Sequence, residues 1–383
     1  MALKRYKSVL IIILVVVVVS IFIWFRSHSD HQNDLMSISQ INKELKGYSF
    51  SKYNNLMFDC GIKNTTFDNV YSSVEITPYQ ISSDKNEYEK LKKKAADLIN
   101  DVTNTDINAK YFDDDIIYRE ADFDHCIYDS GDIYADYYAD GSFILNDMRK
   151  QNVSIENELS QQETIIKRFK ATDDISSYSI NIGGEDYNLS NAVKYADSFI
   201  ADKLENYLNN GDTPVLSGIA VINSNDFGGN AFVLRYSHTI DGIYVDDSFM
   251  SDLENDFLRG TYLQIVICKK DHISMIQNMY YYSVLGSDAI DAIIPLTKSV
   301  ELLSQALAPN TKYTVTECEL KYVCITNYKD NNIYMHPMWT FVIDERSSDE
   351  YEPGDDYFGK TTAYIDALTG EHFMFIPGQG LVK

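Results

Sequence analysis

The chain has 383 residues, more than the roughly 100 to 200 residues of a usual single domain, so two or three domains are expected. It carries 57 acidic and 33 basic residues, and this net charge of −24 excludes nucleic-acid binding, because a phosphate backbone would be repelled. Apolar residues (45%) are numerous enough to form cores, which excludes a disordered chain, and the 29 tyrosines disfavour an all-helical fold.

The first 26 residues predict a membrane anchor. An apolar run over residues 8–25 follows three basic residues, Lys4, Arg5 and Lys7. At about 1.5 Å per residue this run spans roughly 27 Å as a helix, close to the thickness of a bilayer core. Its end is bulky, unlike the small-residue site at which a signal peptide is cleaved. We therefore expect a cytoplasmic tail at residues 1–7, a single transmembrane helix at 8–25 and an extracellular remainder.

The predicted extracellular part is strongly acidic. Four basic residues and no acidic ones lie within the first 26 positions, which leaves 29 basic against 57 acidic residues and a charge of −28. Such a surface keeps a protein soluble and repels anionic lipid head groups. The predicted location is the cell membrane, with a single pass, a cytoplasmic N-terminus and an extracellular C-terminal part.

Two segments of different character follow the anchor. Residues 26–46 predict a juxtamembrane stalk, a helix that continues from the membrane, because four apolar residues recur at helical spacing: Leu35, Ile38, Ile41 and Leu45. Residues 47–148 predict a distinct α+β domain, in which strand-like runs surround one helix. The apolar face of that helix consists of Tyr88, Leu91, Ala95, Leu98, Ile99 and Val102.

The second half of the chain predicts a tandem repeat. Residues 149–186 form a connector with a short helical pattern at Ile165, Ile166 and Phe169. Residues 187–286 and 295–376 then repeat one order, an amphipathic helix followed by antiparallel strands. The segments 261–273 and 361–373 hold the same place in the two units. We therefore predict two copies of a helix packed on an antiparallel sheet.

The last unit contains the clearest strand pattern. Over residues 313–326, apolar and charged side chains alternate, which is typical of a strand with one buried face. The predicted core face carries Cys318, Leu320, Tyr322 and Cys324, and the opposite face carries Glu317, Glu319 and Lys321.

A turn motif closes this unit at residues 366–371. Gly370 supplies a residue that accepts positive φ, and Asp366 can accept hydrogen bonds from the backbone amides of the turn. Six residues of the unit are interpreted as a structural motif rather than an active site: Trp339, Phe341, Asp366, Thr369, Gly370 and Glu371.

These motifs resemble a known family. Pro337-Met338-Trp339-Thr340-Phe341 and Ala363-Tyr364-Ile365-Asp366-Ala367-Leu368-Thr369-Gly370-Glu371 are similar to the W-x-F strand and the Y-I-D-A-x-T-G-E hairpin of PepSY-like and YycI-like modules in bacterial cell-envelope proteins. Residues 236–245 resemble the companion half of YycI-like and YycH-like proteins, with Tyr244 where a proline is expected. The resemblance covers about residues 187–376. It implies two PepSY/YycI-like units in a single-pass membrane protein whose outer domains regulate a sensor histidine kinase.

The sequence carries no specific catalytic or metal-binding motif, and two matches to S-x-x-K, at residues 49–52 and 82–85, are interpreted as chance occurrences of a common pattern. It lacks H-E-x-x-H, G-x-S-x-G and a P-loop, so no catalytic residue, cofactor or metal is assigned. The five cysteines have no zinc-ligand spacing and are interpreted as small apolar side chains. A disulfide between Cys60 and Cys126, within the first domain, stays an open alternative.

These observations together predict a membrane-anchored, non-enzymatic extracytoplasmic protein. Its expected partner is another membrane protein such as a sensor histidine kinase, whose conformational equilibrium it would bias through protein-protein contacts. The alternative is a cell-wall enzyme or a protease-associated module, since PepSY units also accompany proteases. Specificity is expected in the domain at residues 47–148 or in the groove between the two copies.

Overall fold

The computed structural model describes most of the chain after residue 34. The described residues are 35–50, 53, 55–62, 66–76, 85–112, 125–139, 141–149, 164–171, 173–208, 214–225, 227–246, 250–251, 256–258, 261–279, 289–327, 333–344, 361–376 and 380–382. The predicted anchor at residues 8–25 lies outside them. None of the helices in the described ranges is long and apolar enough to cross a membrane.

Four α-helices lie within the described ranges: α1 (Ile38–Lys46), α2 (Lys85–Thr103), α3 (Leu189–Phe199) and α4 (Leu296–Ala306). Helix α3 continues into a π-helical turn at Ile200–Leu204, and short 3-10 helices lie at Ala109–Tyr111 and Glu205–Tyr207. The predicted apolar face of α2 is turned inward, with Ala95, Leu98 and Ile99 almost fully buried. The helices predicted from 3.6-residue periodicity after Asp84, after Tyr187 and after Pro295 are therefore confirmed.

The strands make up the larger part of the structure. Before α3 they are β1 (Met36–Ser37), β2 (Leu56–Phe58), β3 (Val70–Tyr71), β4 (Val74–Ile76), β5 (His125–Asp129), β6 (Ile133–Tyr138), β7 (Phe143–Asp147), β8 (Thr164–Lys170), β9 (Ser179–Ile182) and β10 (Glu185–Asn188). Between α3 and α4 they are β11 (Val215–Ser224), β12 (Gly229–Ser237), β13 (Thr239–Ile240), β14 (Ile243–Val245), β15 (Met250–Ser251), β16 (Asp256–Leu258), β17 (Tyr262–Ile267), β18 (Met275–Met279), β19 (Ala289–Ile290) and β20 (Ala292–Ile293). After α4 come β21 (Tyr313–Asn327), β22 (Ile333–Asp344), β23 (Thr361–Asp366), β24 (His372–Ile376) and β25 (Gly380–Val382). The predicted mixed α+β class is confirmed.

Two large sheets organise these strands. The first has eight antiparallel strands in the order β5-β6-β7-β18-β17-β12-β11-β8, and helices α2 and α3 contribute to the core on one of its faces. The second has the order β13-β14-β21-β22-β23-β24-β25, with β2, β4 and β16 also paired to β21 or β22. Helices α1 and α4 contribute to the core of the second sheet.

The two predicted units show the same strand order in space. After α3, the strands β11, β12, β17 and β18 are neighbours in the first sheet, and after α4, the strands β21, β22, β23 and β24 are neighbours in the second. The segments 261–273 and 361–373 therefore correspond, because each contains the third strand of its set and the turn that follows that strand. Between β12 and β17 the first unit inserts β13 to β16, which join the second sheet.

Strand pairing crosses the predicted domain boundaries. The segment 47–148 does not form a sheet of its own: β7 pairs with β18 of the first sheet, whereas β2 and β4 pair with β21 and β22 of the second. Sequence periodicity indicates which face of a strand is buried, but it does not indicate which strand lies beside it. The pairing partners therefore could not be predicted from the pattern.

The predicted continuous stalk helix is wrong in two respects. Helix α1 begins only at Ile38, because Ser37 is extended (φ −62°, ψ 148°) and caps the helix together with Gln40. Its apolar residues Ile41 and Leu45 lie in the core of the second sheet, whereas Leu35 stands outside the helix and is exposed. The helix is thus a part of the folded domain.

The predicted helical pattern in the connector is also wrong. Ile165, Ile166 and Phe169 lie on strand β8, which pairs with β11 as the last strand of the first sheet. The register of this pairing shifts beside Ile166, so Ile165 and Phe169 face opposite sides at a spacing of four residues. The apolar residues of a bulged strand thus have the sequence spacing that is typical of a helix.

Candidate functional site

The predicted structural motif lies in the second sheet and its closing turn. Trp339 and Phe341 are fully buried on β22, and Trp339 Nε1 donates a hydrogen bond to Ile294 O at 2.8 Å. This bond ties the middle of the sheet to the residues just before α4. A buried indole that finds its partner in the backbone serves packing.

The turn after β23 has the predicted geometry. Asp366 Oδ1 accepts hydrogen bonds from Leu368 N and Thr369 N, both at 2.8 Å, and Gly370 has φ +74°. Thr369 Oγ1 accepts from Glu371 N at 3.2 Å. The Asp366 carboxylate and the Thr369 hydroxyl are thus engaged within the turn itself, which supports the structural interpretation of these two residues.

The charged face of β21 is less open than the alternation indicates. Lys321 Nζ lies 3.3 Å from Asp246 Oδ1 and 3.1 Å from Glu319 Oε1, and both carboxylates are buried. Asp246 follows β14, which runs parallel to β21 with Tyr244 opposite Lys321. The junction between the two units, predicted as a groove, therefore contains a hairpin and a buried ion cluster that joins them.

A different surface combines polar residues from several parts of the chain. On the face of the first sheet that lies opposite α2 and α3, cross-strand pairing aligns one residue from each of five neighbouring strands. In strand order these residues are Arg235, Gln264, Gln277, Ile144 and Asp136. We call this row and its aromatic neighbours the polar face.

Aromatic side chains lie beside both ends of the row. The guanidinium carbon of Arg235 stacks 4.1 Å from the ring centroid of Tyr262. At the other end, Tyr138 donates a hydrogen bond from its hydroxyl to Asp136 Oδ2 at 2.8 Å, and its ring lies 5.3 Å from that of His125. Rings of this kind present both a flat apolar surface and polar tips to a ligand.

The two ends of the polar face differ in charge. Arg235 and Asp136 are four strands apart, a distance of about 19 Å at the usual spacing of 4.8 Å. Asp136 is only 7% exposed. Burial raises the pKa of Tyr134 on the same strand, and the charges of Asp136 and Asp129 raise it further. The row thus carries a basic residue on β12 and an almost buried acidic residue on β6.

The chemistry of this face suits binding. Arginine and glutamine side chains offer donors, glutamine and aspartate offer acceptors, and tyrosine contributes large contact area at low entropic cost. Over the part of the chain that the structure describes, no group of three or more His, Cys, Asp or Glu residues is placed to hold a metal ion.

The polar face was not predicted as a site, although part of its signal is present in the sequence. On β6, Ile133, Ala135 and Tyr137 point into the core, so the alternation places Tyr134, Asp136 and Tyr138 on the other face. Their cross-sheet neighbours on β12 and β17 come from more than 90 residues further along the chain. Periodicity therefore predicts the polar face of strand β6, but it does not predict which residues of the other strands lie beside it.

Comparisons with known proteins give little further information. No family model matches the chain, and no curated protein matches it. One similar solved structure is a crystal structure, at 1.45 Å resolution, of an uncharacterized protein from Eubacterium rectale ATCC 33656. The alignment has a TM-score of 0.45 and 13% sequence identity, and covers 87% of this chain and 97% of that one.

Proposed function

We propose that this chain is a membrane-anchored extracytoplasmic regulatory protein without catalytic activity of its own. Residues 8–25 would hold it in the cell membrane as a single pass. The described domain would bind a membrane protein partner such as a sensor histidine kinase through the polar face, and the binding would bias the conformational equilibrium of that partner. The two later units of the chain, residues 187–286 and 295–376, would be PepSY/YycI-like modules.

The observation that carries the proposal is the composition of the polar face. It brings an arginine, an aspartate, two glutamines and three tyrosines onto one side of a sheet whose other side is the core. Tyrosine and arginine are enriched in protein-protein interfaces and at their energetic hot spots. The opposite charges at its ends would fix the orientation of a bound partner.

The attachment of α1 supports a coupling between anchor and domain. Glu44 Oε1 accepts a hydrogen bond from Thr297 N at 3.3 Å, and Ile38 N donates to Asp291 O at 3.0 Å. The chain between a transmembrane helix ending at residue 25 and helix α1 would be short. A conformational change of the partner within the membrane would therefore be transmitted to the folded domain through a short segment.

Site-specific photo-crosslinking in cells tests the proposal. A p-benzoylphenylalanine placed at Gln264, in the middle of the polar face, should form a covalent adduct with one membrane protein, which mass spectrometry identifies. The matched control is the same group at Lys194, which is exposed on α3 on the opposite side of the first sheet. Adding Arg235→Ala should weaken the binding that gives the adduct at Gln264 by about thirty-fold, because a hot-spot arginine contributes about 2 kcal/mol.

The identity of the adduct decides between the proposed roles. A sensor histidine kinase as the adduct supports the regulatory role, and replacing residues 8–25 with an unrelated transmembrane helix should then change the output of its reporter gene. A protease or a cell-wall enzyme would support the alternative of a protease-associated or wall-associated module. Equal adduct formation at Gln264 and Lys194 would contradict the polar face as the binding surface.

A further inference from the structure

A buried lysine lies between two buried carboxylates at the junction between the two units. Lys321 on β21 has its Nζ 3.3 Å from Asp246 Oδ1 and 3.1 Å from Glu319 Oε1. The side chains of Asp246, Glu319 and Lys321 are only 3%, 4% and 14% exposed. An amine and a carboxyl group in contact are the two halves of an amide bond, and a second carboxylate beside them can carry a proton from one to the other.

The backbone holds the two reacting groups beside each other. Strand β14 runs parallel to β21 with Tyr244 opposite Lys321, and Asp246 N donates a hydrogen bond to Tyr322 O at 2.8 Å. Asp246 O in turn accepts from Thr261 N at 2.9 Å. Asp246 is therefore anchored through both of its backbone polar groups, and its short side chain leaves the carboxyl group little freedom to move away from the amine.

The neighbouring side chains keep water away from this cluster. Cross-strand pairing places Met338 opposite Lys321 and Thr340 opposite Glu319, and Tyr364 follows in the same row as Thr340. These three neighbours, Met338, Thr340 and Tyr364, are at most 2% exposed. Charged groups are costly in such surroundings, so the conversion of an ammonium and a carboxylate into a neutral amide removes part of that cost.

We propose that Lys321 and Asp246 join in an intramolecular amide bond, with Glu319 as the group that transfers the proton. The bond forms once per molecule and changes only the chain itself, so this inference goes beyond the proposed regulatory function and does not depend on it. Asp246 is assigned as the acyl group because its side chain has one rotatable bond fewer than that of Glu319 and is therefore held more firmly for attack.

The reaction is a dehydration within the cluster. One proton passes from the Lys321 ammonium to the Asp246 carboxylate, which leaves a neutral amine and a neutral acid. The amine nitrogen attacks Asp246 Cγ, and Glu319 takes a proton from that nitrogen as the C–N bond forms. Glu319 then delivers this proton to the hydroxyl group on Cγ, so that the C–O bond breaks, the carbonyl bond forms again and one water molecule leaves.

The surroundings also suit the product. Glu319 ends as a carboxylate, as it began, and Thr340 lies directly across the ladder from it. The Thr340 hydroxyl oxygen is buried and has no hydrogen-bond partner among the described residues, so it can donate to Glu319 once the ammonium is consumed. The bond would join positions 75 residues apart and fasten the β13–β14 hairpin, which is inserted from the first unit, to β21.

Mass spectrometry of the full chain, purified from membranes, tests the bond. The intact mass should be lower than that of the sequence by one water molecule. Trypsin does not cleave after a lysine whose amine is acylated, so residues 313–329 should stay together as one peptide, linked through Lys321 to the peptide 236–259. Normal cleavage after Lys321, or a bond from Lys321 to Glu319 instead of Asp246, would overturn the proposal.

Two variants separate the bond from the fold. Lys321→Arg keeps the positive charge but has no amine to acylate, so it should show the full mass and a midpoint of thermal unfolding lower by about 5 to 10 °C. Glu319→Gln keeps both reacting groups but cannot take up the proton, so the bond should form at least about 100-fold more slowly, while circular dichroism shows a folded protein. A Glu319→Gln protein that forms the bond as fast as wild type would contradict the role of Glu319.

An ion pair elsewhere in the chain provides the internal control. Lys298 Nζ lies 3.2 Å from Glu301 Oε2, a similar distance, but these side chains are 26% and 47% exposed. Water screens this pair and favours its charged forms, so no amide should form and trypsin should cleave after Lys298 as usual. Loss of cleavage at both lysines would indicate unspecific modification and would also overturn the proposal.

Discussion

Asp147, at the end of β7, is hydrogen-bonded from two directions. Its carboxylate accepts from Arg149 Nε at 2.8 Å and from Arg149 Nη2 at 2.7 Å, and its backbone oxygen lies 3.1 Å from His272 Nε2. Arg149 Nη2 also donates to Thr103 O at the end of α2, at 2.7 Å. Asp147 and Arg149 together thus connect the end of α2, strand β7 and the turn between β17 and β18.

Because of the charge of Asp147, the free energy of unfolding should depend on pH in the acidic range. Burial alone would raise its pKa, but the hydrogen bonds and charge of Arg149 outweigh this and hold the pKa below its usual value. A depressed pKa contributes stability that is present above the unfolded value near 3.9 and is lost as the pH falls through the folded value. Asp147→Asn should therefore be less stable than wild type at pH 7.

Urea unfolding at several pH values checks this expectation. The difference in unfolding free energy between wild type and Asp147→Asn should be constant from pH 7 down to about pH 5 and should narrow below about pH 4. Asp174→Asn is a suitable control at an exposed site, because its pKa is also lowered, by hydrogen bonds from Ser176, without a partner in another element. A difference at pH 3 as large as that at pH 7 would contradict the role of the Asp147 charge.

At the scale of elements, helix α1 shows how far the stability of a short helix depends on its tertiary contacts. With nine residues it is too short to be stable alone in water. Its buried residues Ile41 and Leu45 lie in one core with Leu296, Val300 and Leu303 of α4. Its stability therefore comes from this shared core.

Truncating Ile41 should destabilise the fold measurably. Ile41→Ala leaves a cavity in a core where the side chain is fully buried, and such changes cost about 2 to 4 kcal/mol. The control is Leu35→Ala, two residues before the N-cap residue Ser37. It removes a side chain that is 37% exposed and should cost less than about 0.5 kcal/mol. Denaturant unfolding followed by circular dichroism compares the two, and equal effects would contradict the placement of α1.

Elements with strong local patterns could be predicted from the sequence, and their partners could not. The helix faces of α2 and α4 and the alternation on β21 are local, because each follows from side chains a few residues apart. The pairing of β7 with β18 joins positions more than 120 residues apart and depends on the packing of the whole domain. The polar face arises from such pairings, so only its β6 part was open to sequence reasoning.

At the scale of the whole molecule, the two sheets share the early and late parts of the chain. The first sheet takes β5 to β8 from residues before 187, and the second takes β2 and β4 from the same part of the chain. The tandem order of the later strands is real, yet neither set of four strands is complete by itself. If the earlier strands were removed, β18 and β11 would become edge strands with unpaired backbone groups.

A fragment covering residues 187–383 should therefore fail to fold, although the sequence alone predicts two units within it. Without the earlier strands it loses the partners of β11, β18, β21 and β22, and without α1 and α2 it exposes part of both cores. Thermal unfolding of this fragment should show no cooperative transition, whereas the fragment 35–383 should unfold in one. Co-expression with residues 35–186 should restore the transition, because the missing strands can pair in trans. A cooperative transition of the short fragment alone would show that the shared strands are dispensable for each unit.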